Sequence, residues 1–243
     1  MPDNSFNTIA VIGAGTMGHG IAQVSAMAGM DVCLFDLAEP ALQVGLDRIH
    51  ANLDKGVQRG KVSTEDQENT LIRITGTNEL DVAVAEADMV IEAVPEKLEL
   101  KQALFREIDA LAPDGCVYGT NTSSLSVARI AQAVSDPSRV IGLHFFNPVH
   151  IMKLLEVVTH PGTGDDVLHR IRDYGAEIGK TCIYVKDFPG FATSRLGVAL
   201  GMEAIRMMEQ GVASAEDIDA AMVLGYRHPV GPLKLTDMVG LDV

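Results

Sequence analysis

His144 and Glu156 stand on two successive apolar runs, with Ser123 a short way upstream at the end of another. An imidazole titrates near neutrality and can take or give a proton at physiological pH. A carboxylate on the neighbouring run can accept the ring's other N–H, fix its tautomer and stabilise the imidazolium. Together these residue types suit proton exchange with a hydroxyl. The remaining histidines, His19, His50, His150, His160, His169 and His228, lack such company and read as structural. A metal held by His144, His150 and Glu156 is rejected, because the spacing fits no helical His-x-x-x-His site. No metal is expected.

A second constellation lies at the start of the chain. Gly13-Ala14-Gly15-Thr16-Met17-Gly18 directly follows the apolar run 8–12 and opens a helical stretch through Ala22, Ala26 and Ala28. Gly13 permits a tight turn, Gly15 lets a pyrophosphate approach the backbone, and Gly18 lets the helix pack close to the strand. The strand, turn and helix in register carry more weight than the glycines alone. Asp36 ends the next apolar run, close to the ~20-residue spacing expected for an acid that binds both hydroxyls of an adenosine ribose. Its charge would repel a 2′-phosphate, and neither Leu37 nor Ala38 supplies an arginine to welcome one. The expected cofactor is NAD rather than NADP.

The elements that must position these groups follow from alternation of short β-branched runs with helical periods, which implies parallel strands joined by crossover helices. Strands are expected at 8–12, 31–35, 89–93, 116–120 and 140–143. Two more, 154–158 and 181–185, flank a helical stretch at 165–178 and extend the sheet. The result is an α/β, doubly wound domain of about seven or eight strands. Leu42, Leu46, Ile49 and Leu53 mark one helix face, and Gly60 breaks it before a second helix, giving a helical hairpin inserted after the second strand. After Phe188-Pro189-Gly190 the chain is all helical: one helix ends at Gly211, Ser214 caps the next, and Pro232 precedes another. The expected domains are 1–186, holding the dinucleotide, and a smaller all-α domain, 187–243.

Composition narrows the class. The formal charge of -14, without long runs of like charge, argues against nucleic acid or an anionic membrane as partner. No apolar run approaches the ~18 residues of a membrane span. Residues 1–7 show neither a secretory signal nor a transit peptide, so a cytoplasmic location is expected. Cys33, Cys116 and Cys182 are scattered through apolar stretches, which suits a reducing compartment and no disulfide. Lys55 and Arg59 sit four apart on one face of the inserted hairpin, a basic pair in an acidic chain.

Several segments resemble the L-3-hydroxyacyl-CoA dehydrogenase family over nearly the whole chain. They are Asn121-Thr122-Ser123-Ser124-Leu125, His144-Phe145-Phe146-Asn147-Pro148-Val149, Met152-Lys153-Leu154-Leu155-Glu156-Val157, the stretch 187–195, and the run from Glu216-Asp217-Ile218-Asp219 to Met222. The resemblance implies a Rossmann-type domain and NAD-dependent interconversion of (S)-3-hydroxyacyl-CoA and 3-ketoacyl-CoA, in β-oxidation or short-chain acyl-CoA metabolism. It implies His144 as base with Glu156 behind it, and Ser123 hydrogen-bonded to the substrate oxygen beside His144. It places Asn147 on the nicotinamide side, Glu92 and Lys97 near the cofactor ribose and nicotinamide, and Lys55 and Arg59 at the phosphates of coenzyme A. Ser194 stands where the family usually carries Asn; its hydroxyl can still donate to the thioester or 3-oxygen, with one donor where the amide has two. The family also implies a homodimer, and helices beyond the abrupt end at 239–243 that help to close the site and pair the subunits. Alternatives are a dehydrogenase of a free hydroxy acid or sugar acid on the same fold, and a nucleotide-binding protein without turnover.

Overall fold

The computed structural model describes residues 6–240, so the expectations about the first residues and about the end after Gly240 lie outside the described residues. Among the described residues no helix is long and apolar enough to cross a membrane. The chain divides into two compact units, Met1–Phe188 and Pro189–Val243.

The first unit is built on an eight-stranded sheet in the order β3-β2-β1-β4-β5-β6-β7-β8. The strands are β1 (Thr8–Ile12), β2 (Asp31–Phe35), β3 (Ile74–Thr77), β4 (Met89–Glu92), β5 (Val117–Thr120), β6 (Val140–Phe145), β7 (Leu154–Thr159) and β8 (Thr181–Lys186). Strands β1 to β6 pair in parallel, β7 pairs antiparallel with β6, and β8 pairs in parallel with β7. The central strands are mostly apolar because helices cover both faces; Ile9, Ala10, Val11, Met89, Val90 and Ile91 are all fully buried. The reversal at β7 follows from chain length: residues 146–153 are too few for the crossover that a parallel neighbour requires.

Two expectations change. Strand β6 runs through His144 to Phe145 rather than stopping at residue 143, so His144 lies within the sheet. Strand β3 was not anticipated, because Ile-Thr-Gly-Thr offers a single large apolar side chain and a glycine. That glycine lies in tight packing: a Cβ on Gly76 would lie 3.1 Å from Leu46 and 3.3 Å from Leu42, so those side chains would have to shift by a few tenths of an ångström. The helix bearing those leucines, α2 (Glu39–Gln58), follows α1 (Gly18–Met27), and with α3 (Thr64–Ile72) it forms the inserted hairpin. Ser63 and Asp66 close α3 with a reciprocal capping box. Helices α4 (Leu80–Val84), α5 (Leu98–Leu111), α6 (Val127–Ala131) and α7 (Asp165–Glu177) make the remaining connections.

The second unit is helical: α8 (Thr193–Glu209), α9 (Ala215–Ala220) running into a π-helical turn at Ala221–Gly225, and α10 (Pro232–Val239). Within it Asp219 accepts the N–H groups of Leu233 at 2.8 Å and Lys234 at 3.0 Å, tying α9 to the first turn of α10.

Candidate active site

The loops that follow β1, β2, β4, β5 and β6 all leave the same, carboxyl edge of the sheet, the edge on which open α/β folds bind ligands. The order of the sheet reverses between β1 and β4, and the glycine loop sits at that switch. Gly13 has φ 103°, and a Cβ on it would lie 2.8 Å from the Ala93 carbonyl oxygen. A Cβ on Gly18 would fall 1.6 Å from the Gly13 oxygen, so only glycine lets α1 start this close to its own strand. Gly15 differs: a Cβ there would meet no protein atom within 4 Å. Packing does not require glycine at 15, whereas a ligand lying on the backbone does.

Asp36 leaves the end of β2 and reaches the same loop. One carboxylate oxygen accepts the Ala14 N–H at 2.9 Å and the other the Ala38 N–H at 3.0 Å. The acid is thus held at the edge of the cradle, where a ribose would meet it. Thr16 is exposed and Met17 half-buried on the same turn. These residues fit a dinucleotide: an open glycine backbone, a helix N-terminus and an oriented acid.

His144 and Glu156 are direct cross-strand partners in the β6–β7 ladder. Opposed residues on one face of an antiparallel pair bring their side chains together, and Glu156 Oε2 lies 2.6 Å from His144 Nδ1. Glu156 is fully buried, and His144 is 8% exposed. The Phe146 ring leans on the imidazole with centroids 4.5 Å apart. The backbone of β6 is anchored from β5, since Asn121 Oδ1 accepts the Phe145 N–H at 3.0 Å. Lys180, reaching across from the start of β8, donates to the carbonyls of Val149 and, at 2.7 Å, Met152, which steadies the 146–153 turn. Asn147, in a cis bond to Pro148, lies exposed on that turn.

Ser123 is exposed, three residues past the end of β5. Its loop is held by a carboxylate that the sequence did not single out: Glu96 Oε1 accepts Thr122 Oγ1 at 2.5 Å, the Ser123 N–H at 3.0 Å and the Ser124 N–H at 3.2 Å. Burial alone would raise the Glu96 carboxyl, but the Thr122 hydroxyl, the Lys101 ammonium and the two N–H groups hold it below its ordinary value. Glu96 adjoins Lys97, so it lies in the loop that the sequence had marked.

Glu92 requires a correction. Expected at the cofactor, its carboxylate is instead fully buried and turned inward. It accepts Lys101 Nζ at 2.6 Å, the Val94 N–H at 2.7 Å and Thr120 Oγ1 at 2.7 Å. Burial holds this carboxyl above its ordinary value, against the pull of the Lys101 ammonium and the other donors. A side chain so enclosed has no oxygen to offer a ligand. Lys97 is exposed at the N-cap of α5.

Lys55 and Arg59 are both exposed at the C-terminal end of α2, in its last turn and at its C-cap. In the second unit Ser194 is half-buried in the first turn of α8, after a turn in which Gly190 and Phe191 take φ 74° and 48°. Among the described residues no group of three or more His, Cys, Asp or Glu is placed to hold a metal. Cys33, Cys116 and Cys182 are free thiols.

Comparison with known proteins agrees with this architecture. The family profile described as 3-hydroxyacyl-CoA dehydrogenase, NAD binding domain, matches residues 8–188, and that of the family's C-terminal domain matches residues 190–243. The 3-hydroxyadipyl-CoA dehydrogenase of Escherichia coli is 44% identical over 97% of this chain, which spans only 50% of that protein's length. The 3-hydroxybutyryl-CoA dehydrogenase of Bradyrhizobium diazoefficiens is 41% identical over 96% of this chain and 80% of its own. The crystal structure of (S)-3-hydroxybutyryl-CoA dehydrogenase from Ralstonia eutropha superposes with a TM-score of 0.95 at 38% identity, covering 98% of this chain and 83% of that one. A prephenate dehydrogenase, 12% identical with a TM-score of 0.53, shares the fold alone. The chain is a member of the 3-hydroxyacyl-CoA dehydrogenase family, with an NAD-binding Rossmann-like domain followed by a helical one.

Proposed function

We propose that this chain oxidises (S)-3-hydroxyacyl-CoA thioesters to 3-ketoacyl-CoA with NAD, and catalyses the reverse reduction. The observation that carries the reading is the His144–Glu156 pair, 2.6 Å apart and buried, on the same sheet edge as the glycine cradle. With Nδ1 engaged by Glu156, proton exchange with the substrate falls to Nε2 of His144. In oxidation the imidazole takes the hydroxyl proton as the hydride leaves the same carbon. Bound NAD supplies the acceptor for that hydride. Glu156, removed from water, stabilises the imidazolium that forms more strongly than an exposed carboxylate would. Ser123 donates a hydrogen bond to the substrate oxygen, and Asn147 flanks the nicotinamide side. Lys55 and Arg59 meet the phosphates of coenzyme A.

The named substrates of the relatives favour a thioester over a free hydroxy acid. A protein that had lost turnover would be expected to lose the base or its partner, and here both are present. The test is NADH oxidation, followed by absorbance, with acetoacetyl-CoA and with acetoacetate. Turnover of the thioester alone is expected. A K55E/R59E variant is expected to raise KM for acetoacetyl-CoA and flatten its salt dependence while sparing NADH affinity. Equal turnover of the free acid, or an unchanged KM in the variant, would remove coenzyme A from the reading.

The assembly is a homodimer paired through the second unit, where Leu196, Val198, Leu224, Tyr226 and Met238 are each at least 65% exposed. Sedimentation at micromolar concentration is expected to give twice the monomer mass; a strict monomer would refute this.

A further inference from the structure

Lys101 is fully buried in the first unit, and nothing in the reaction as described uses it. Its Nζ lies 2.6 Å from Glu92 Oε1 and 3.4 Å from Glu96 Oε2. It is also 3.4 Å from the Asn121 carbonyl and 3.5 Å from that of Val94. Two of these neighbours lead to the site. Glu96 holds the Thr122 hydroxyl and the N–H groups of Ser123 and Ser124. Asn121 holds, by its side-chain oxygen, the N–H of Phe145, next to His144.

A buried ammonium is expensive to desolvate, and a buried ion pair stabilises a fold little better than apolar residues of similar size. A simpler core would have served stability here. What the charge adds is a fixed point shared by two segments far apart in sequence.

We propose that Lys101 is a positioning residue for the reaction: its ammonium fixes the Ser123 loop through Glu96 and the end of β6 through Asn121, and so sets the hydroxyl donor against the base. This rests on the proposed activity. The alternative is an ion pair that only joins β4 to α5.

Lys101→Met alone leaves Glu92 buried without its cation and risks misfolding, so the test uses the full chain carrying K101M/E92Q. Glutamine keeps its one oxygen for the Val94 N–H and turns its amide N–H toward the Thr120 hydroxyl, which can accept as well as donate, and no unpaired charge remains in the core. The first readout needs neither substrate nor cofactor: amide hydrogen exchange. In K101M/E92Q it is expected to rise about tenfold or more in the peptides covering 121–126 and 144–147, and to stay unchanged in β1 and β2. The second is kinetic. A misplacement of about an ångström gives a fall in kcat of about 100-fold, with KM for acetoacetyl-CoA little changed.

The third is the pH profile. Glu96 holds the loop as a carboxylate; the charged groups near it are Lys101 on α5, Glu92 at the end of β4 and Lys97 in its own loop. Its carboxyl sits below the ordinary value partly because of Lys101, so function is present above that value and lost as pH falls through it. Without the ammonium the acid limb is expected to move to higher pH. Unchanged exchange in both peptides, or a lower melting temperature with kcat and the acid limb unaltered, would overturn the proposal and leave a structural ion pair. Absence of turnover in the unmodified chain would instead overturn the proposed activity, and the exchange readout would still decide whether Lys101 orders the two segments.

Discussion

Replacing His144 with glutamine is expected to lower kcat for acetoacetyl-CoA reduction about 100- to 10,000-fold, the range for loss of a general acid–base, or about 2.7–5.5 kcal/mol in the barrier. Glutamine keeps a polar contact and removes the titrating proton. NADH affinity is expected to survive, because the glycine cradle is built on β1 and α1, away from β6. The two directions also require opposite protonation states: reduction needs the imidazolium as donor and oxidation the neutral ring as acceptor. In the unmodified protein reduction therefore falls, and oxidation rises, as pH rises through one ionisation, and H144Q is expected to lose this crossing dependence. Glu156→Gln removes the buried anion facing Nδ1. It is expected to slow turnover, since the imidazolium that forms loses its anionic partner. Near-normal turnover in H144Q with both pH limbs intact would take the central step away from His144.

The second large effect is expected at Gly15. A Cβ there meets no protein atom within 4 Å, so Gly15→Val is expected to leave the fold largely undisturbed. The added atoms occupy the space that a pyrophosphate would need. NADH binding is expected to weaken about 100-fold or more, equivalent to about 2.7 kcal/mol, with the melting temperature nearly unchanged. Gly18→Ala gives the contrast, since its Cβ would collide with the Gly13 oxygen and damage the fold itself. Isothermal titration with NADH, beside thermal melts, separates the two. If G15V bound NADH as tightly as the parent, the loop would not be the dinucleotide cradle.

What could be read from the sequence was whatever is local or periodic. The glycine loop is contiguous, and its flanking strand and helix have their own hydrophobic patterns. The opposition of His144 and Glu156 could be read because both lie on apolar runs joined by a short turn. Strand β3 was hidden, because its pairing with β2 supplies a stability that its own four residues do not advertise. The Glu92–Lys101–Glu96 cluster was hidden for a different reason: its residues are close in sequence, but its links to Thr120, Asn121 and Thr122 at the end of β5 arise only in the fold. One signal was available. Leu98, Lys101, Phe105 and Ile108 are the buried positions of α5, so Lys101 lies on the apolar stripe of its helix. A lysine on such a stripe must be paired. The same stripe argues for an inward acid nearby, which is where Glu92 is found rather than at the cofactor.

Because Glu156 meets His144 through an antiparallel ladder, the chain tolerates insertions and deletions very unevenly around the pair. Residues 146–153 form a connection whose closure entropy grows only slowly with length, so an added residue there leaves every cross-strand partner in place. A residue added between Leu154 and Glu156 slides the register by one and turns Glu156 to the opposite face of the sheet. A length change is therefore expected to be tolerated better in the turn than in the strand beside it. The pair is thus a property of backbone register, set by the ladder and not by the length of the loop that joins its two halves.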